Sequence, residues 1–271
     1  MSSSSLVANK DHTASMFHRH TGYEWCEPKY EVLHGVAEFA NTVTSVIPLS
    51  LLPLAHIPLT WPFVSETYPT ALVPILICSF VGFASAYYHA TLSLFAQLVD
   101  ELSILWVIST MFYTMLPHLE CLPVIVTKEI FLCQRILLIC AGLVSALAFM
   151  NPTINAFALM FFAIPITCMA FSEAILKKYV DVQSVIWHTL AVWLVACACW
   201  MLDRFACDAL LHFGFPYMHA VFHVLAAFSV HMAGSAFLLM SIRKLAPEFG
   251  AVFVSFLGVP FVRLKRTDMP K

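Results

Sequence analysis

Apolar residues run along the chain in blocks about 20 residues long, separated by short clusters of Pro, Gly, Asn or grouped charge. A run of about 20 predominantly apolar residues is what an α-helix needs to cross the hydrocarbon core of a bilayer. Blocks of that length predict spans near 32–54, 70–91, 95–116, 123–147, 152–176, 185–210 and 219–241. The breaks "IPLTWPF", "MLPHLECLP", "FMNPTIN", "KKYVDVQ" and "FGFPY" carry turn chemistry. The pattern therefore predicts an all-α integral membrane protein, a seven-transmembrane helix bundle over 32–241, flanked by an N-terminal segment 1–31 and a C-terminal basic tail 242–271. No internal repeat is evident.

Composition agrees with the pattern: 61% of the 271 residues are hydrophobic, 11% are charged and the mean hydropathy is +0.84. An ordinary soluble domain has roughly 25% charged residues. The formal net charge is -2 and no basic run is interleaved with aromatics, which excludes the electrostatic footprint of a nucleic-acid binder. The first 30 residues lack the apolar core of a cleavable signal, so insertion is expected to rely on the first span.

Charge placement predicts orientation, because Lys and Arg beside spans are retained on the cytoplasmic side. Lys128, Lys177, Lys178, Arg243, Lys244, Arg263, Lys265 and Arg266 share the face of the C-terminus, whereas Lys10, Arg19 and Lys29 on the other face are diluted by Asp11, Glu24, Glu27 and Glu31. The C-terminus is expected in the cytosol and the N-terminus in a lumen or outside the cell.

The stretch "SAYYHATLSLFAQLVDELSILW" places Ser85, His89, Asp100 and Glu101 in membrane-grade sequence. An ionisable residue at such depth costs about 2.5–3.5 kcal/mol on insertion scales and marks a functional site. The second span ends near His89 on the non-cytoplasmic face and the third carries Asp100 within its first turns, so the two are expected to be neighbours. Ser85 and His89 lie four residues apart, as do His219 and His223 in "MHAVFHVL", and each pair shares a helix face. Three imidazoles, a hydroxyl and a carboxylate thus share a depth.

Three neutral imidazoles with one open position suit a catalytic zinc, and a nearby carboxylate can act as a base or orient a ligand. A single histidine in a membrane helix, by contrast, is more often a hydrogen-bonding residue. His56, His118, His188 and His231 lie toward the cytoplasmic side; His34 and His212, with His12, His18 and His20 in the tail, remain rival ligands on the outer face.

The stretches "EWCEPKYEVLHGVAEFANTVTSVIPL", "SAYYHATLSLFAQLVDELSILW", "NPTINAFAL", "WMLDRFACDAL" and "YMHAVFHVL" together resemble the alkaline ceramidases, within a wider superfamily of seven-helix membrane hydrolases that includes the adiponectin and progestin receptors. The resemblance implies an amidase of the endoplasmic reticulum or Golgi membrane that splits ceramide, with water, into a sphingoid base and a fatty acid. It implies that His89, His219 and His223 ligate zinc and that Asp100 and Ser85 are the catalytic polar pair. It also implies a calcium site from Glu24, the Trp25 carbonyl, Glu27, the Lys29 position and Glu38.

At Lys29 this chain departs from the usual Asn, and an ammonium cannot ligate a cation: its backbone carbonyl substitutes, the site is weakened, or Lys29 itself partners the glutamates. Without the resemblance, these glutamates read as an acidic solvated loop, although Glu38 lies inside an apolar run. The nine Cys form no CxxC pair and most lie in apolar spans; the resemblance implies a Cys26–Cys207 disulfide. The alternative functions are another membrane lipid amidase or esterase of the superfamily, and a seven-helix receptor or transporter without enzymatic activity.

Overall fold

The computed structural model describes residue 21 and residues 25–150, 154–256 and 258–265; of residues 154–163 and 166 it describes the backbone alone. The long helices are α1 (Phe39–Leu59), α2 (Leu72–Thr91), α3 (Leu94–Met115), α4 (Ile130–Met150), α5 (Ile154–Leu176), α6 (Val180–Phe205) and α7 (Met218–Leu245). Among the described residues six of them, all but α5, are long and apolar enough to cross a membrane, and α5 extends over 23 residues. The protein is an all-α, multi-pass integral membrane protein.

Several boundaries differ from the hydropathy blocks. The first block opens at 32, but helix begins only at Phe39. The intervening segment turns across the end of α2, two of whose last carbonyls it satisfies: Ala37 N donates to Ala90 O and Glu38 N to His89 O, both at 3.0 Å, while Thr21 N, further back in the chain, donates to Leu92 O just past the helix at 3.1 Å. Helices leave four terminal carbonyls without intrahelical partners, so this strap closes α2 while fixing the start of α1. The fourth block is split at Glu129 between a short helix, Val124–Lys128, and α4. The sixth ends at Phe205, after which Cys207–His212 forms a separate short helix.

The tail also contains more than a basic extension. After Leu245 the chain forms an antiparallel hairpin of β1 (Val252–Phe256) and β2 (Val259–Arg263), and the Pro260 carbonyl accepts from Ser235 on α7 at 3.0 Å. Lys10, Asp11, Arg19, Glu24 and Arg266 of the charge count, and His12, His18 and His20, lie outside the described residues.

α7 is the enclosed centre of the bundle, and its small residues Ala220, Ala226, Ala227, Ser229, Ser235 and Ala236 are buried. Small side chains let neighbouring backbones approach, which is how helices associate where lipid tails remove any hydrophobic drive between them. The same device joins α1 to α2. α1 carries a π-helical stretch, Ser45–Ser50, with Pro48 inside it, and Gly82 of α2 faces that bulge. A Cβ on Gly82 would meet Ser50 Oγ at 2.2 Å, Ser50 N at 2.5 Å and Ser45 O at 2.6 Å, so only glycine permits this approach.

Candidate metal centre

His89 stands in the last turn of α2, and His219 and His223 stand on one face of the first turns of α7. All three are buried, and one nitrogen from each lies within 4.8 Å of the others. Among the described residues this is the only such group of three or more His, Cys, Asp or Glu residues. The rivals His34 and His212 are exposed.

Each imidazole is aimed by a different device. His89 Nδ1 lies 2.6 Å from Glu38 Oε2; an ionised carboxylate only accepts, so Nδ1 carries the hydrogen and Nε2 the lone pair. His223 Nδ1 lies 3.1 Å from Thr44 Oγ1 and 3.3 Å from Ser45 Oγ. Thr44 Oγ1 donates to the Ala40 carbonyl at 2.8 Å, as does Ser45 Oγ to the Asn41 carbonyl. Both hydroxyls can therefore accept from Nδ1–H, and Nε2 of His223 is again the free lone pair. Among the described residues His219 Nδ1 has no hydrogen-bond partner; its ring is instead stacked on the Trp25 indole, with centroids 3.6 Å apart and planes 17° apart. Outer partners that fix tautomer and ring direction are the usual support of metal-ligating histidines. Three buried imidazoles with converging lone pairs, one of them holding an orphaned nitrogen, fit a divalent metal such as zinc, which accepts three nitrogen ligands and leaves a fourth position open.

The catalytic candidates adjoin this triad. Ser85, one turn before His89, is buried, and the half-buried Asp100 on α3 lies beside its side chain. Ser45 Oγ lies 3.1 Å from Ser85 Oγ. A file of polar groups thus runs from His223 through Ser45 and Ser85 to Asp100, presented by the π-helical turn of α1. Glu101, the other acid of the stretch, accepts from Gln97 Nε2 at 2.8 Å, and Gln97 Oε1 accepts from Thr21 Oγ1 at 2.6 Å.

The N-terminal segment roofs the centre. Glu27 caps α1 from a distance, accepting from Ala40 N at 2.6 Å and Asn41 N at 2.9 Å. This replaces the missing side-chain cap at Glu38 and places a negative charge at the positive helix end. Burial raises the Glu27 carboxyl above its ordinary value, against the two amides that lower it. Glu38 is fully buried; besides His89, its Oε2 accepts from Asn41 Nδ2 at 3.0 Å. Lys29 Nζ donates to the Trp25 carbonyl at 2.5 Å and lies 3.3 Å from Glu38 Oε1. Glu24 lies outside the described residues.

Cys26 and Cys207 are joined by a disulfide that ties this segment to the short helix after α6. Asp203, to which sequence reasoning assigned no chemistry, accepts from Cys26 N at 2.9 Å through Oδ2 and from His219 N at 3.0 Å through Oδ1. One buried carboxylate therefore holds both the roof and the start of α7. Thr44, Ser45 and Asp203 went unrecognised in the sequence because each acts through the backbone or another side chain; the one signal for Asp203 was an acid within an apolar block, which names no role.

Comparison with known proteins gives a consistent relationship. A family model described as Ceramidase matches residues 19–262. An alkaline ceramidase of Caenorhabditis elegans is 42% identical over 212 residues, covering 78% of each chain. One from Drosophila melanogaster is 33% identical over 248 residues, covering 86% of each, and the alkaline ceramidase 1 of Mus musculus is 27% identical over 252 residues, covering 90% of this chain and 91% of its own. With a family model spanning nearly its whole length, and the triad inside the matched region, the chain belongs to the ceramidase family.

Proposed function

We propose that this protein hydrolyses the amide bond of ceramide, releasing a sphingoid base and a fatty acid, with a zinc ion held by His89, His219 and His223. The observation that carries the reading is the convergence of three buried imidazoles beside the Ser85–Asp100 pair. When bound, zinc supplies a Lewis acid that polarises the carbonyl and lowers the pKa of water. An amide is a poor electrophile, which is why the site needs both.

The protein's own groups do the rest. Glu38, Thr44 and Ser45 keep the hydrogens of His89 and His223 on Nδ1, so Nε2 faces the metal. Asp100 takes a proton from the attacking water on a carboxylate oxygen and returns it to the leaving amine nitrogen. The Ser85 hydroxyl holds Asp100 in place; turned toward the amide oxygen, it donates to the developing oxyanion. Ceramide, with two long chains, enters sideways from the bilayer rather than through the roofed end.

The centre belongs on the lumenal side of the endoplasmic reticulum or Golgi membrane, with the C-terminus in the cytosol. A disulfide at the N-terminal end of the bundle supports this, because such bonds persist in oxidising compartments. At the opposite end, Lys177 and Lys244 pair with Glu120, and Arg243 pairs with Asp181.

The test is release of sphingoid base from labelled ceramide by purified wild type and His219→Ala, with metal measured on both. About one zinc per chain in the wild type, lost together with turnover in the variant, supports the proposal; turnover without metal refutes it.

A further inference from the structure

Glu38 presents a charge problem. It is fully buried, its Oε2 is committed to His89 and Asn41, and its Oε1 makes no hydrogen bond among the described residues. A buried carboxylate persists only when paired. The cation that faces Oε1 is the Lys29 ammonium at 3.3 Å, on a side chain only 30% exposed. The same ammonium draws in the Trp25 carbonyl at 2.5 Å. Trp25 O and Glu38 Oε1 are two of the oxygens that a calcium ion in this segment would require, and both point at Nζ. The Glu27 oxygens are meanwhile taken up by the α1 amides. A divalent ion drawing on the same oxygens would sit against the ammonium, so the two cations exclude one another. The residues present therefore do not fit calcium while Lys29 keeps this position.

We propose that Lys29 is a built-in cation: its ammonium takes the place of a divalent metal in the N-terminal cradle, gathers the Trp25 carbonyl and the Glu38 carboxylate, and through Glu38 positions His89. The consequence for the metal centre rests on the zinc reading above; the consequence for calcium does not. Lys29 is a positioning residue and touches no reacting atom. Because the cation is covalently part of the chain, the roof over the centre holds its shape whatever the surrounding calcium concentration.

The test uses full-length protein purified in detergent, in buffer freed of divalent ions by resin so that no chelator strips the zinc. Radioactive calcium binding and the thermal midpoint are measured with and without 1 mM calcium, on the order of a weak extracellular site's dissociation constant, and zinc affinity is measured by titration. Wild type is expected to bind no calcium above background and to melt at the same temperature in both buffers. Lys29→Met should lower the midpoint and weaken zinc about 10-fold, the low end for loss of an outer partner of a ligating imidazole, with no recovery in calcium. Lys29→Arg should retain the wild-type midpoint and zinc affinity. Calcium binding or calcium stabilisation in the wild type overturns the proposal, as does a Lys29→Met protein with unchanged midpoint and zinc affinity. Ceramide appears in none of these measurements, so failure of the hydrolysis assay would count against the proposed activity and leave the calcium result standing.

Discussion

The indole of Trp25 lies face to face with the imidazole of His219, 3.6 Å between centroids. His219 is the ligand candidate whose Nδ1 has no hydrogen-bond partner among the described residues, so stacking orients its ring as Glu38 orients that of His89. The opposite end of the indole is held by its Nε1, which donates to Tyr88 Oη at 3.3 Å. Trp25→Ala should weaken zinc by about 10-fold or more, in the range for losing an orienting partner, while Trp25→Phe should keep most of the affinity. Competition with a zinc indicator measures both.

Asp100 and Ser85 are expected to affect turnover and leave metal alone. Asp100→Asn preserves shape but removes the base, and a positioned acid–base group contributes about 10²–10⁴-fold. Ser85→Ala should cost less than Asp100→Asn and add little to it in the double variant, since the two side chains lie side by side. Zinc content per chain, measured beside turnover, must stay at the wild-type level in all three. A loss of metal would move Asp100 into the ligand set.

Gly82→Ala should destabilise the protein by more than the roughly 1–3 kcal/mol typical of overpacking, because the new Cβ meets backbone atoms at 2.5 and 2.6 Å that cannot rotate away. Gly35→Ala is the control, with nothing within 4 Å of its added carbon. Thermal midpoints of the two variants, read against wild type, should separate clearly. Since Ser45 belongs to the affected bulge, surviving Gly82→Ala protein should also bind zinc less tightly.

Reduction of the Cys26–Cys207 bond frees the roof from the helix after α6. The linked residues are 181 apart in sequence, and cross-linking so long a loop restricts the unfolded chain strongly in entropic models. A non-reducing gel should show faster migration than a reducing one for wild type and no difference for Cys26→Ser. The thermal midpoint should fall in that variant, even though Asp203 still holds the backbone of residue 26.

Much of this arrangement was legible in the sequence, and physics explains which parts. Hydropathy blocks located the long helices because lipid demands uninterrupted apolar runs. The four-residue spacings of Ser85 with His89 and of His219 with His223 placed those side chains on shared helix faces. The π-helical turn at Ser45–Ser50 left no comparable mark: Pro48 alone could equally signal a kink, and only Gly82 opposite it makes the bulge packable. Glu38 stood apart from the acidic loop because it lies inside an apolar run, but only the structure shows that its fully buried carboxylate belongs to His89. Asp203 acts on backbone amides, which carry no residue identity, so no motif could announce it. The hairpin after α7 was missed because its alternation is short and follows a charged helix end.

Two of the three imidazoles ride on α7, which leaves the ribosome after α1–α6, and Asp203, which holds the backbone of His219, sits on the helix before it. A nascent chain therefore lacks two of the three candidate metal ligands until Met218 and the residues after it have been made. Under the proposed function, a product of interrupted translation that stops short of α7 is expected to leave ceramide intact, so the order of synthesis would itself protect the host membrane.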